Sequence, residues 1–131
     1  ERGLTLVELL AVIVILAIVA VIAFVMIGNI IENSKKDAHI ANAQQIIASA
    51  KLYDTQEGIT STVDADVLQE KGFLDVIVNP WDSDGDYEAT VTKDTSDGVE
   101  YSISITADPD KCKFGTKTEQ QLSEGRSICT E

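Results

Sequence analysis

The sequence is poor in residues that break helices and in residues that bind zinc. Its 131 residues include two prolines, two cysteines and one histidine. There is no CxxC pair, and the histidine is far from both cysteines in sequence, which argues against a structural zinc site. Residues 4–56 contain neither a proline nor a pair of glycines, so nothing in that stretch forces a helix to stop.

Clustered basic residues are also missing. Ten Lys and Arg are scattered among 22 Asp and Glu, which gives a net charge of -12. An acidic chain without a basic stripe is not expected to bind a nucleic-acid backbone directly. The sequence has no G-x-S-x-G motif and no glycine-rich phosphate loop, so we do not predict an enzyme.

Apolar residues, in contrast, are concentrated near the N-terminus. Residues 9–27 form a run of nineteen without a charged or strongly polar side chain. As a helix, this run would span about 28 Å, close to the roughly 30 Å hydrocarbon core of a bilayer. A cleaved secretory signal has a shorter apolar region, about 7–15 residues, followed by a small-residue cleavage site that is missing here. We therefore predict that the run is retained as one membrane-spanning helix.

Helical periodicity continues beyond the apolar run. Ile40, Ala43, Ile47 and Ala50 recur at steps of three and four residues, which indicates a helix with one apolar face. The pattern predicts a single helix over residues 4–56, apolar all round in its first half and amphipathic in its second. Gly58 is expected to end it.

The rest of the sequence predicts a small head. We expect a short helix over residues 64–71, then strands over residues 87–92 and 99–106 joined by a turn. A third strand is expected to include residues 112–114, with residues 127–129 near it. Packing the sheet on the second half of the long helix gives an α+β fold with a small antiparallel sheet.

The stretch GLTLVELL at residues 3–10, with the apolar run behind it, resembles the class III signal of type IV prepilins. The resemblance implies that a peptidase cuts after Gly3, that Leu4 becomes the methylated mature terminus, and that Glu8 is the glutamate of the family pattern. Residues 1–3 are then a leader remnant and residues 4–28 the transmembrane and filament-core half of the helix. Residues 29–131 form the globular head, including the amphipathic half of the helix.

Glu8 lies about one turn into the apolar helix, where a carboxylate is costly and usually functional. The resemblance implies that it pairs with the N-terminal amine of a neighbouring subunit, because an unpaired charge in a dry filament core costs several kcal/mol. A glutamate that simply reaches the lipid headgroups is the alternative. Ala17 and Val25 stand where many pilins carry a helix-breaking glycine and proline, so we expect a continuous helix.

Cys112 and Cys129 are expected to form one disulfide on an exported head. The bond would close a loop of roughly 18 residues and contribute about 3 kcal/mol. The resemblance points the same way, since many pilins have a C-terminal disulfide loop; two free thiols in a reducing compartment are the alternative. The stretches KGFL (residues 71–74) and NPWD (residues 79–82) are similar to stretches of pilins and of type II secretion pseudopilins.

An acidic cluster in the head is a candidate calcium site. Four carboxylates occupy alternate positions around a glycine: Asp82, Asp84, Asp86 and Glu88. Oxygen-rich loops suit Ca²⁺, although this spacing is not that of an EF-hand, and related pseudopilins bind calcium in a C-terminal loop. A solvated acidic turn is the alternative. His39 is predicted to be a surface residue, and Trp81 a packing anchor for its loop.

The resemblance implies a structural subunit of an extracellular type IV pilus, which serves adhesion, twitching motility or DNA uptake. It implies a single-pass membrane precursor that moves into a surface filament of identical subunits. The expected partners are a prepilin peptidase, an assembly ATPase and a platform protein. The nearest alternative is a type II secretion pseudopilin. An alternative of another class is a membrane-anchored calcium-binding module that never polymerises.

Overall fold

The computed structural model describes residues 2–82, 87–106, 112 and 115–129. Its largest element is helix α1, Arg2–Gln56, which runs for 55 residues without a break. The predicted long helix is confirmed. It stays helical through Ala17 and Val25, because neither position carries a residue that disrupts the hydrogen-bond ladder.

α1 ends at Gln56, two residues before the glycine that the sequence predicts as its stop. Gly58 has a φ of 84°, a left-handed conformation that a residue without a Cβ adopts at little cost. Its N–H donates to the carbonyl of Asp54 at 3.1 Å and lies 3.4 Å from the carbonyl of Tyr53. These bonds satisfy carbonyls that the end of a helix otherwise leaves without partners.

Contacts divide the chain into two compact units, Glu1–Ser34 and Lys35–Glu131. The first unit is the N-terminal part of α1, and its apolar side chains are exposed around the helix. Among the described residues, α1 is the one helix that is long and apolar enough to cross a membrane. The second unit, which we call the head, contains the remainder of α1 and all the strands that the structure describes.

The head contains a four-stranded antiparallel sheet in the order β1-β2-β3-β4. Its strands are β1 (Thr62–Asp64), β2 (Glu88–Asp94), β3 (Glu100–Thr106) and β4 (Lys117–Thr118). β2 and β3 pair along their whole length, and Val91 lies opposite Ile103 at the buried centre. The alternation of apolar and polar residues turns one face of this hairpin into the core. Both strands of the hairpin predicted over residues 87–106 are confirmed.

The first edge of the sheet was not predicted. β1 spans Thr62–Asp64, and only its last residue fell within the short helix predicted over residues 64–71. That helix, α2, spans Ala65–Glu70 and is followed by Gly72 with a φ of 83°. The side chain of Asp64 accepts a hydrogen bond from the Thr90 hydroxyl at 2.9 Å and does not cap α2. The reason is the pairing of β1 with β2, which sets these two residues opposite each other.

The other edge of the sheet also differs from the prediction. Cys112 lies in a bend, not in the strand expected at residues 112–114, and residues 113–114 lie outside the described residues. The edge strand is β4, which pairs with Ser102 and Ile103 of β3. It leads into α3 (Glu119–Leu122) and a 3₁₀ helix (Gly125–Cys129). A strand of two residues has too short a pattern to be recognised in a sequence.

The core forms where α1 packs on the sheet and the short helices. Every third or fourth residue of the head part of α1 is buried, as its periodicity predicts: Ile40, Ala43, Ile46, Ile47 and Ala50. These side chains join one apolar cluster with Leu68 of α2, Val91 and Ile103 of the sheet, and Leu122 of α3. The predicted α+β architecture is therefore confirmed.

Candidate functional site

The residues that the sequence singles out for processing and assembly lie in the first turns of α1. Gly3, Leu4 and Glu8 are all exposed. Leu4 and Glu8 are four residues apart, so they lie one above the other on the same side of the helix. The helix therefore places a carboxylate one turn from the residue expected to carry the mature amino terminus.

The helix around Glu8 presents an apolar surface on all sides. The large apolar side chains from Leu4 to Ile31 are at least 49% exposed, and Phe24 reaches 82%. Burying one such side chain contributes about 1.5–3 kcal/mol. A surface of this kind is not stable in water and must be covered by lipid or by other protein.

Comparison with known families bears directly on this part of the chain. Residues 1–24 match the model of the prokaryotic N-terminal methylation motif. The N-terminus carries the class III signal of type IV pilins and pseudopilins. The motif supports a chain of the pilin or pseudopilin class and points to a structural protein. Searches of curated proteins and of solved structures found no significant match.

Gly3, Leu4 and Glu8 all fall within the matched residues. The motif implies processing by a prepilin peptidase and by pilus assembly machinery in general. It also fits a precursor anchored in the membrane by its apolar helix. The individual roles of these three residues remain predictions from the family pattern.

The C-terminal part of the head contacts α1 through polar side chains. A disulfide joins Cys112 to Cys129 across a sequence separation of 17. Within this loop, Glu119 forms an ion pair with Lys51, and the carbonyl of Leu122 accepts a bond from Gln44 at 3.4 Å. These contacts hold the C-terminal segment of the head against the helix.

A third contact completes this arrangement. Arg126 Nη1 lies 3.3 Å from Asp37 Oδ2. The C-terminal segment therefore contacts α1 at three residues: Asp37, Gln44 and Lys51. These three positions are seven residues apart and therefore follow one side of the helix. α3 begins with a capping box, in which the side chains of Thr118 and Gln121 bond each other's backbone N–H groups.

A polar cluster that the sequence analysis missed forms at the end of α1. The carboxylate of Asp54 lies 2.8 Å from Lys93 Nζ and accepts bonds from the Tyr101 hydroxyl at 2.6 Å and the Ile59 N–H at 2.7 Å. The Lys93 bond, followed by the Tyr101 bond, lowers the pKa of Asp54 to about 2. The same carboxylate raises the pKa of Tyr101. The partners are distant in sequence, so no local motif could have revealed the cluster.

The prediction that His39 lies on the surface is wrong. His39 is 1% exposed, and its Nδ1 lies 2.6 Å from the hydroxyl of Tyr87. The rings of Tyr87 and Trp81 pack beside it, with centroids 5.6 Å and 5.5 Å away. Burial lowers the pKa of His39 to about 4 and raises that of Tyr87 to about 12. The pattern along α1 could not reveal this burial, because the covering rings belong to residues far along the chain.

The prediction that Trp81 is a packing anchor is confirmed. Its ring packs against the core cluster, and its backbone N–H donates to the side chain of Asn79 at 3.0 Å. Asn42 of α1 contacts the same part of the head, because its side-chain amide donates to the Val78 carbonyl at 3.3 Å and to the Tyr87 hydroxyl at 3.4 Å. Trp81 therefore acts as a packing anchor.

The candidate calcium site falls mostly outside the described residues. Asp82 and Glu88 are described, whereas Asp84 and Asp86 are not. Among the residues that are described, no group of three His, Cys, Asp or Glu side chains is close enough to hold a metal ion. The calcium site remains a prediction from the sequence.

Proposed function

We propose that the chain is a structural subunit of an extracellular type IV pilus, assembled by burying the N-terminal helices of many copies together. The observation that carries this proposal is the exposed apolar surface of the first unit, which begins within the matched methylation motif and continues beyond it. In the membrane, lipid covers this surface. When the helix leaves the membrane, other copies of the same helix offer an equally apolar surface.

The arrangement favours a fibre over a closed oligomer. When one patch on each subunit contacts a different patch on the next, the assembly stays open and grows as a helix. Glu8 would pair with the amine at Leu4 of a neighbour, which neutralises both charges in the core and selects the register. The acidic heads would face solvent and keep the fibre soluble, given a net charge of -12.

The finer assignments follow from the same proposal. An assembly ATPase and a platform protein would drive polymerisation after the prepilin peptidase has cut at Gly3. The filament would serve adhesion, twitching motility or DNA uptake. The chain would begin as a single-pass membrane protein and end on the cell surface.

A pseudopilin of a type II secretion system is the second candidate. The observation that favours it is the loop at residues 79–82, whose NPWD sequence is similar to a stretch of that family. Asn79 is buried and Trp81 packs against the core, so the stretch has a structural role in this head as well. A calcium site at Asp82 and Glu88, completed by Asp84 and Asp86, would fit this candidate, and calorimetry with added Ca²⁺ tests it.

Two measurements test the proposal in order. Mass spectrometry of the protein from its own cells should find a mature chain that begins with a methylated Leu4. Electron microscopy of material sheared from the cell surface should then show long fibres that contain the chain. Processed protein without surface fibres would favour the pseudopilin, and an uncut chain confined to the membrane would contradict both candidates.

A further inference from the structure

A groove of about 340 Å³ opens on the head beside the edge strand β1. Its walls are the end of α1, the loop that follows α1, β1 itself and the start of α2. The lining residues include Tyr53, Thr60, Ser61, Thr62 and Asp64. Sites for small molecules have volumes of about 300–1,000 Å³, so this groove has room for one small ligand.

The loop that forms one wall of the groove is held in place at both ends. At its start, the N–H of Ile59 donates to Asp54 Oδ1 at 2.7 Å. At its end, the carbonyl of Ser61 accepts a bond from the N–H of Lys93 at 2.7 Å, next to the first residue pair of the β1–β2 ladder. A wall fixed in this way does not have to be ordered when a ligand binds, so less affinity is lost.

Hydroxyl groups line the groove at three consecutive positions. Thr60, Ser61 and Thr62 are exposed, and within the described part of the chain their hydroxyls bond no other protein group. Thr62 and Asp64 are alternate residues of β1, so their side chains point to the same exposed face. Asp64 Oδ1 accepts a bond from the Thr90 hydroxyl at 2.9 Å, which leaves its second oxygen for a ligand. The groove therefore offers both donors and acceptors.

An aromatic ring supplies the apolar wall of the groove. Tyr53 is half-buried, and its ring packs edge-to-face on Phe73 with the centroids 5.4 Å apart. Val67 of α2 lies in the same lining. A pyranose sugar has a face of C–H groups and a rim of hydroxyls. These two features match an aromatic wall beside a row of hydroxyl side chains.

The groove carries little charge for so acidic a chain. Among the described residues that line it, Asp64 is the one charged residue, whereas the whole chain has a net charge of -12. That net charge repels an anion such as a phosphate or an acidic sugar. A cation would be drawn to another groove, between the β2–β3 turn and α3, whose lining includes Asp97, Glu100 and Glu119. The groove beside β1 therefore favours a neutral ligand.

We propose that the groove beside β1 binds a neutral pyranose sugar, with the C–H face of the sugar on Tyr53 and its hydroxyls on Thr62 and Asp64. A filament repeats this groove once in each subunit, so weak contacts with a surface that carries such sugars act together. The adhesive use of the groove rests on the proposed function, whereas sugar binding is a property of a single head.

Ligand-observed NMR tests sugar binding by the full-length chain, dispersed in a detergent without a sugar headgroup. The probes are the methyl glycosides of glucose, galactose, mannose and N-acetylglucosamine. We expect magnetisation to pass from aromatic protons of the protein to the C–H groups of at least one probe. Thr62→Val keeps the β-branched shape, and it should weaken binding about fivefold through the loss of one hydrogen bond. Thr95→Val removes an exposed hydroxyl from the β2–β3 turn and should leave binding unchanged.

A change in the aromatic wall gives a second test of the same site. Tyr53→Leu keeps an apolar side chain beside Phe73 but removes the flat ring, so it should weaken binding about tenfold. Thermal unfolding of each variant separates a lost contact from a lost fold. The proposal is overturned if no neutral probe receives magnetisation, or if Thr62→Val and Thr95→Val bind the sugar equally well.

Adhesion is measured separately, on filaments sheared from the cell surface. Beads that carry the bound sugar should retain unmodified filaments and should retain Thr62→Val filaments less. Equal retention of the two, or binding of the free glycoside without retention on the beads, would overturn the adhesive use of the groove. If the chain makes no filament, the proposed function fails, and the NMR result on dispersed subunits still decides whether the groove binds a sugar.

Discussion

The two parts of α1 differ in whether the chain itself covers their apolar side chains. In the first unit, the apolar side chains surround the helix and remain exposed. In the head, one apolar face of the helix is covered by the sheet and the short helices, although Leu52 on another face stays exposed. The comparison shows that the head part finds its packing partners within the chain, whereas the first unit needs partners outside it.

The polar residues differ in the same way. The head uses polar side chains to fasten α1 to the rest of the unit, through Asp54 at its end and through Asp37, Gln44 and Lys51 along one side. In the first unit, Glu8 is the one acidic residue between Gly3 and Ile31. A single carboxylate on an otherwise apolar rod is suited to selecting one register between neighbouring copies.

The largest expected effect follows from removing that carboxylate. We expect Glu8→Val to leave the precursor in the membrane and to lose nearly all surface filaments, because the amine of the neighbouring chain is then buried without a partner. Subunit levels in the membrane and in the sheared fraction measure this. Glu57→Val, which removes an exposed carboxylate just after α1, is the matched control. Filament yield equal to that of the control would contradict the assembly role of Glu8.

The contrast between buried and exposed faces of α1 predicts the next effect. Ile47 is 0% exposed, whereas Leu52 is 51% exposed on the same helix. Ile47→Ala should lower the free energy of unfolding of the head by about 2–5 kcal/mol through lost burial and a cavity. Leu52→Ala should change it by no more than about 0.5 kcal/mol, as is usual for surface substitutions. Denaturant unfolding of the detergent-solubilised chain compares the two, and similar losses would refute the assigned core.

The disulfide should contribute less than the most damaging core substitution. Replacing Cys112 and Cys129 together by serine should lower the free energy of unfolding by about 3 kcal/mol, because the open loop gains entropy in the unfolded chain. Reduction of the unmodified chain should give a loss of similar size, and the double variant should not respond to reductant. An unchanged unfolding midpoint in both experiments would show that the bond adds nothing to stability.

Periodicity explains which elements were predictable from sequence. α1 and the β2–β3 hairpin have long repeating patterns, and each was predicted within a few residues. β1 and β4 are two or three residues long, and their pairing depends on the finished hairpin beside them. The processing residues could be predicted because their family pattern is local. The Asp54 cluster could not, because Lys93 and Tyr101 lie 39 and 47 residues away.

His39 is the clearest failure of the sequence analysis, and it gives a further prediction. Its pKa in the folded chain is about 4, below the ordinary value of 6.5, so the unfolded chain takes up a proton first as the pH falls. The contribution of His39 to the free energy of unfolding is therefore fully present above about pH 6.5 and is lost as the pH falls toward about 4. Converting the shift at 1.36 kcal/mol per unit gives a loss of about 3 kcal/mol.

Replacing the imidazole tests this assignment. His39→Gln should flatten the dependence of the unfolding free energy on pH between about 6.5 and 4, as followed by denaturant titrations at several pH values. The decline below that range should persist, because Asp54 has a lowered pKa of about 2 and loses its contribution only as that carboxylate is protonated. A variant that keeps the full slope between pH 6.5 and 4 would show that another group titrates there. The burial of His39 by Trp81 and Tyr87 would then not control the acid stability of the head.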